Sequence, residues 1–179
     1  MSKNIVVLSG SPRKQGNTEK LAAAFIESAK SAGKNVVAFR TADMKIGGCA
    51  GCKHCFEEKG VCAQKDDMPP ILEALKSADA IVFVSPIYYF DMTAQLKLAI
   101  DRTFALHGIG TSIKRAAFLM TCGDSSERAA EGAVVTYNHI CAYSKWEDAG
   151  VIIATGLHEP GEIDGRDELK AAKQLGLDI

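Results

Sequence analysis

An apolar, β-branched run, Ile5-Val6-Val7-Leu8, passes through Ser9-Gly10-Ser11-Pro12-Arg13-Lys14-Gln15-Gly16 into a stretch where Leu21, Ala22, Phe25, Ile26 and Ala29 recur at helical spacing. The first run has the length and composition of a buried strand, and the second has the period of an amphipathic helix. Strand, loop and helix in that order point to a parallel sheet covered by helices. The loop from Ser9 to Thr18 holds hydroxyls, amides, one Arg and one Lys, and no acid. Such a turn aims backbone N–H groups and the positive end of a helix dipole into one concavity. An anion belongs there, and a phosphate suits the hydroxyls and the basic side chain. The plainer alternative is an ordinary loop in which Asn17 or Thr18 only caps the helix, a task that needs fewer donors.

The alternation continues. Helix 1 is expected from about Asn17 to Ala32, where Gly33 stops it, and strand 2 over Asn35 to Arg40. Residues 41–66 read as a long irregular segment, and Asp66-Asp67-Met68-Pro69-Pro70 as a helix start with a capping Asp and Pro in its first turn. Ala80 to Ser85 is apolar on both faces, as a central parallel strand must be. A short loop over Pro86-Ile87-Tyr88-Tyr89-Phe90 leads to a helix from Thr93 to Ala105. Strands at Ala116–Thr121 and Val151–Thr155 follow, with helices at Ala129–Tyr143 and Arg166–Leu175. The expectation is one α/β domain over residues 1–179, a five-stranded parallel sheet in the order 2-1-3-4-5. That order opens a crevice where strands 1 and 3 part, and three loops meet there.

The kind of phosphate follows by elimination. Gly10 and Gly16 are too far apart, and Asn17-Thr18 stands where a nucleoside-triphosphate loop needs Lys-Ser/Thr. No G-x-G-x-x-G dinucleotide fingerprint is present, and Ser9 stands where a phosphotyrosine phosphatase needs Cys. A terminal monophosphate remains, and flavin mononucleotide (FMN) is the common ligand that fits. The apolar, aromatic Pro86–Phe90 loop could wall a flat ring. With 21 Lys and Arg against 22 Asp and Glu, the chain lacks the basic stripe of a nucleic-acid binder and the acidic surface of a pure electron carrier. No stretch reads as a signal peptide or a membrane span, so a cytoplasmic protein is expected. There, six cysteines suggest metal or redox chemistry rather than disulfides.

Gly10-Ser11-Pro12-Arg13 with Gly16-Asn17-Thr18, then Ser85-Pro86-Ile87-Tyr88, Ala94-Gln95-Leu96-Lys97 and Asp101-Arg102, resembles the NADPH-dependent FMN reductase family of flavodoxin-like proteins. The resemblance implies a flavodoxin-like three-layer sandwich with FMN as cofactor and NAD(P)H as co-substrate. By position it places Ser9, Ser11, Arg13, Asn17 and Thr18 at the phosphate. Pro86, Ile87, Tyr88 and Tyr89 border the isoalloxazine, and Thr121, Cys122 and Gly123 contact its other side. It also suggests a homodimer or homotetramer, with a nicotinamide or ferredoxin-type electron donor; the flavin itself carries the redox chemistry, so no catalytic side chain is named.

Cys49-x2-Cys52-x2-Cys55-x6-Cys62 is similar to the cluster motif of iron–sulfur flavoproteins, a branch of the same family. Its tight spacing suits three corners of a 4Fe-4S cluster, whereas zinc more often takes two separated C-x2-C pairs. The same pattern, followed by Asp66-Asp67-Met68, occurs in relatives known chiefly for FMN alone. The reading adopted is an FMN-dependent oxidoreductase without a stable cluster; the alternative is an electron-transfer protein with a 4Fe-4S cluster on those four cysteines. Cys122-x5-Arg128 matches a phosphatase signature, but Asp124 and Glu127 inside it would repel a phosphate. Cys141 reads as a small core residue. His54 could ligate a metal, while His107, His139 and His158 read as surface or satisfied polar groups.

Overall fold

The computed structural model describes residues 3–179. Strands β1 (Asn4–Ser9), β2 (Asn35–Arg40), β3 (Ala80–Tyr88), β5 (Arg115–Thr121) and β6 (Glu147–Ala154) form a parallel sheet in the spatial order β2-β1-β3-β5-β6. The two-residue strand β4 (Asp91–Met92) pairs antiparallel with the end of β3. Counted over the parallel strands alone, this is the expected 2-1-3-4-5 arrangement.

The layers follow from strand alternation. Ile5 and Val7 of β1, with Val82 and Val84 of β3, face α1 (Asn17–Ser31) and α6 (Asp167–Asp178). Val6 and Leu8, with Ile81 and Phe83, face α3 (Pro69–Lys76), α4 (Ala94–Arg102) and α5 (Glu131–Ser144). Both sides of β1 and β3 are therefore buried, which is why they read as unbroken apolar runs. Phe83, Phe118 and Tyr137 pack ring to ring on the second face. The Tyr137 hydroxyl donates to Asp148 at 2.7 Å, and burial holds this phenol protonated far above its ordinary range.

Three elements differ from expectation. β3 runs on through Pro86, Ile87 and Tyr88 and folds back as a tight hairpin, because Ile87 pairs with Met92 and Tyr88 with Asp91. β6 begins at Glu147, where the polar start is held by a register shift opposite Ala116 and Ala117 and by the Asp148 carboxylate, which also accepts from the Gly150 amide at 2.9 Å. Neither Asp66 nor Asp67 is the N-cap of α3; Met68 is, with Pro69 following, while Asp66 accepts from Met68 N at 3.2 Å and is held chiefly by Arg102, and Asp67 accepts from Lys45 N. Residues 41–66 stay mostly irregular, with a 3-10 turn at Thr41–Asp43 and one α-helical turn at α2 (His54–Glu57). Among the described residues no helix is long and apolar enough to cross a membrane.

Candidate functional site

Parallel register carries the ends of β1, β3 and β5 to one edge of the sheet, with Ser9 beside Val84 and Pro86 beside Thr121. A cleft of about 170 Å³ opens there. Its walls are Ser11, Arg13, Gly16, Asn17 and Thr18 from the first loop, Pro86, Ile87 and Tyr88 from β3, Thr121, Cys122 and Gly123 after β5, and Leu157 and His158 after β6. Ser9 and Tyr89 lie outside this lining. The Ser9 hydroxyl is buried beneath the loop and donates to Glu19, while Tyr89 is fully exposed at the hairpin tip.

The helix that opens into the cleft has no side-chain cap. Gly16 is the N-cap of α1, Asn17 spends its amide on Glu159 O at 2.9 Å and Gly161 N at 2.9 Å, and Thr18 shares a 2.6 Å hydroxyl contact with Thr121. The first amides of a helix have no intrahelical acceptor. The plain-cap alternative therefore fails on geometry: neither the Asn17 nor the Thr18 side chain caps, Glu19 N is taken by Gly16 O at 3.1 Å, and the Asn17 and Thr18 amides are left to an external acceptor. An anion at that point gains both the donors and the dipole.

The loop is held from below by residues with no direct part in its donor set. Gly10 N donates to Val84 O at 2.9 Å, Thr93 Oγ1 donates to Gly10 O at 3.0 Å and Thr41 Oγ1 to Ser9 O at 3.1 Å. Arg40, at the end of β2, donates to Ser11 O at 3.2 Å and pairs with Glu19 at 2.6 Å. That pair neutralises the acid in the first turn of α1, which would otherwise oppose a bound anion. Arg13 reaches across the cleft to donate to His158 O at 3.1 Å. Leu157 and His158 carried no sequence signal, because their place depends on Asn17 clamping the 159–163 loop from more than 140 residues away.

Tyr89 and Phe90 form the hairpin tip with φ of 47° and 68°. Turns of this kind normally take Asn-Gly, and each non-glycine residue held there costs roughly 1–3 kcal/mol. The tip rests on α5, where the Phe90 carbonyl approaches so closely that a Cβ on Gly132 would lie 2.5 Å from it. Cys122 lies at the cleft floor, and burial, then Asp124 and Glu127, push its thiol above the ordinary range. A phosphatase nucleophile requires the opposite shift, so the Cys122-x5-Arg128 match is without chemical content.

Away from the cleft, the cysteine segment is a loop with a zipped neck. Asp66 accepts from Gly47 N at 3.0 Å, Asp67 from Lys45 N at 2.7 Å, and Gln64 donates to Gly48 O at 2.8 Å. Arg102 of α4, 2% exposed, locks the neck with a bidentate pair to Asp66 at 2.6 and 3.0 Å and a bond to Gly47 O at 2.8 Å. That guanidinium holds the Asp66 carboxyl down at about 2. Cys49 and Cys52 are exposed, Cys55 and Cys62 half-buried, and all six cysteines are free thiols. Burial first, then its three neighbouring thiols, pushes the Cys55 thiol up.

A family model for NADPH-dependent FMN reductases matches residues 3–145. An iron–sulfur flavoprotein of Archaeoglobus fulgidus is 32% identical over 173 residues, covering 95% of this chain and 76% of that protein. An iron–sulfur flavoprotein of Methanocaldococcus jannaschii is 37% identical over 99 residues, 55% of this chain and 51% of the relative, so this match spans about half of the relative's length. In fold, the chain is similar to an NAD(P)H:quinone oxidoreductase from Methanothermobacter marburgensis, with a TM-score of 0.75 at 21% identity over 99% of this chain and 96% of the other. The cleft at the carboxyl edge of a β2-β1-β3-β5-β6 sheet and the match over residues 3–145 lead to one assignment: the chain belongs to the NADPH-dependent FMN reductase family.

Proposed function

We propose that residues 1–179 act as a single FMN-binding domain, holding the phosphate against the Ser9–Thr18 loop and the ring between Pro86–Tyr88 and Thr121–Gly123. The activity is that of an NAD(P)H-linked oxidoreductase. The observation that carries this reading is the uncapped start of α1 opening into the same cleft as both ring walls. The hydroxyls of Ser11, Thr18 and Thr121 and the Arg13 guanidinium fit a flavin phosphate and its polyol chain. Bound FMN supplies the redox chemistry, while the protein binds, orients and shields it. No side chain in the cleft is assigned as acid or base. A cytoplasmic, reducing setting suits six free thiols.

Charge-assisted bonds to a phosphate contribute about 1.5–3 kcal/mol each. Arg13→Ala is therefore expected to weaken FMN roughly ten- to a hundredfold while riboflavin, which lacks the phosphate, binds as before. Fluorescence titration with both ligands checks it, and equal losses would move the phosphate elsewhere.

Self-association is placed on α5 and the aromatic hairpin. Glu131 is the helix's one acidic or basic residue apart from His139; Ala133, Tyr137 and Cys141 face the core, yet Val135 and Tyr143 face outward. The outward face of α5 mixes these apolar side chains with Glu131, Asn138 and His139, as an interface with a polar rim does. Tyr88, Tyr89 and Phe90 add exposed aromatic surface at its N-terminal end. At about 200 Å² per fully exposed aromatic ring, the patch offers roughly 600 Å², so a two-fold contact would bury about 1,200 Å². A second copy of the chain fits that area. Val135→Glu is expected to raise the dissociation constant at least about a hundredfold, since a buried lone carboxylate costs several kcal/mol. Sedimentation velocity reads it; a wild-type monomer at micromolar concentration rules the surface out.

A second reading, an iron–sulfur flavoprotein receiving electrons from a ferredoxin-type donor, has its own support. The four cysteines share one loop head whose neck is locked, and the Arg102 Nε beside it is buried without a hydrogen-bond partner. A cluster of thiolates and sulfides is an acceptor of the kind that donor lacks. Iron and sulfide analysis of anaerobically purified protein tests this reading.

A further inference from the structure

Parallel register sets Arg40, the last residue of β2, beside Ser9 at the end of β1. All three nitrogens of its guanidinium are engaged there. Nε donates to Asp43 at 3.0 Å, Nη2 donates to Ser11 O at 3.2 Å, and Nη1 pairs with Glu19 at 2.6 Å. The other Glu19 oxygen accepts from the Ser9 hydroxyl. Glu19 is the third residue of α1, a place from which an acid ordinarily turns back toward the helix start. Here the Gly16 amide is taken by Arg13 O at 3.2 Å, and the Glu19 carboxylate is drawn down under the loop instead. The Arg40 and Glu19 side chains are 25% and 18% exposed, so solvent screens their attraction only in part. An acid at this position is a built-in competitor for the amides that would meet a phosphate. Arg40 holds it away from them.

We propose that Arg40 is a positioning residue for the phosphate of FMN: it fixes the loop through Ser11 O and holds the Glu19 carboxylate off the start of α1. The inference rests on the FMN reading above and goes beyond it in assigning phosphate selectivity to a residue outside the cleft lining. The two contributions are separable. Losing the bond to Ser11 O loosens the loop, whereas losing the pair with Glu19 leaves a negative charge opposite the phosphate. Only the second is reversed by removing that charge, so Glu19→Gln repairs most of the damage done at Arg40. A residue that merely supported the fold would lower FMN and riboflavin binding together, and Glu19→Gln would not restore either.

The experiment titrates the full chain with FMN and with riboflavin, read by flavin fluorescence. Wild type is set against Arg40→Gln and Arg40→Met, each with and without Glu19→Gln, and thermal unfolding serves as the folding control. In the expected result wild type prefers FMN to riboflavin. Both Arg40 variants lose roughly ten- to a hundredfold in FMN affinity and keep their riboflavin affinity, the effect of one uncancelled charge close to a phosphate. Adding Glu19→Gln brings FMN affinity back to within about fivefold of wild type, the remaining loss being the bond to Ser11 O. Arg40 variants that weaken both flavins alike, that bind FMN as wild type does, or whose FMN loss survives Glu19→Gln overturn the inference and keep the FMN reading. Wild type that binds FMN no better than riboflavin overturns the placing of the phosphate in this loop, and the inference with it. Should one of the Arg40 variants fail to fold, the other makes the same comparison with the same outcomes.

Discussion

Arg102→Met is expected to destabilise the protein by about 3–5 kcal/mol, among the larger effects a single substitution produces. The reason is asymmetry. Methionine fills much of the volume, but Asp66 is left with a charge in a site where its side chain is 14% exposed. The Gly47 and Met68 amides still donate to that carboxylate, at 3.0 and 3.2 Å, which places the cost toward the lower end of the range. Urea unfolding read at neutral pH measures it. The same pair makes stability depend on acid. Asp66 has its folded pKa depressed to about 2, against an ordinary value near 3.8, chiefly by the hydrogen bonds from Arg102. A depressed carboxyl contributes stability that is present above about pH 4 and is lost as the pH falls toward 2 and below it. The shift corresponds to roughly 2–3 kcal/mol. Asp66→Asn should flatten that part of the acid limb, and a wild-type limb of unchanged steepness in the variant would show that other carboxylates carry it.

Gly10→Ala is the second substitution expected to have a large effect, through space rather than charge. A Cβ at Gly10 would lie 2.3 Å from Thr93 Oγ1 and 2.6 Å from Leu96 Cβ, both at the start of α4. Neither atom is the far end of a flexible side chain, so the loop itself must lift. Lifting it breaks the Thr93 hydroxyl bond to Gly10 O and disturbs Thr93 as the N-cap of α4. Overpacking of this kind typically costs about 1–3 kcal/mol, and two near-backbone collisions put this case at the top of that range. Because the displaced loop carries Ser11 and Arg13, FMN affinity should fall at least about tenfold. Thermal unfolding and a flavin fluorescence titration check the two effects. Native stability with native affinity would mean that the loop and α4 are not in the packed contact described.

The central strands, the first helix and the loop between β1 and α1 were legible from residues 5–32 and 80–121 because those features are local, whereas the order 2-1-3-4-5 came from the usual arrangement of a five-stranded parallel sheet. A strand shows its burial in unbroken Val and Ile, a helix in its period, and an anion site in the residues between them. Gly33 ended α1 with φ of 78°, and Thr93 capped α4, by rules that act within a few residues. Tyr88 and Tyr89 were legible as aromatic, but their separation, one in the cleft wall and one at a strained tip, came from β4 pairing back on β3. The Asn17 side chain does not cap α1 but clamps residues 159–163, since its partners arrive from the far end of the chain. Asp66 looked like a helix cap for the same reason. Its true partner is 36 residues on, in another helix. Local chemistry is written in spacing, so the strands, helices and first loop follow from the amino-acid sequence. Which donor is spent on which acceptor depends on elements brought together by burial of the sheet faces, and only the tertiary structure decides that Arg102, rather than a cysteine, closes the loop that holds all four.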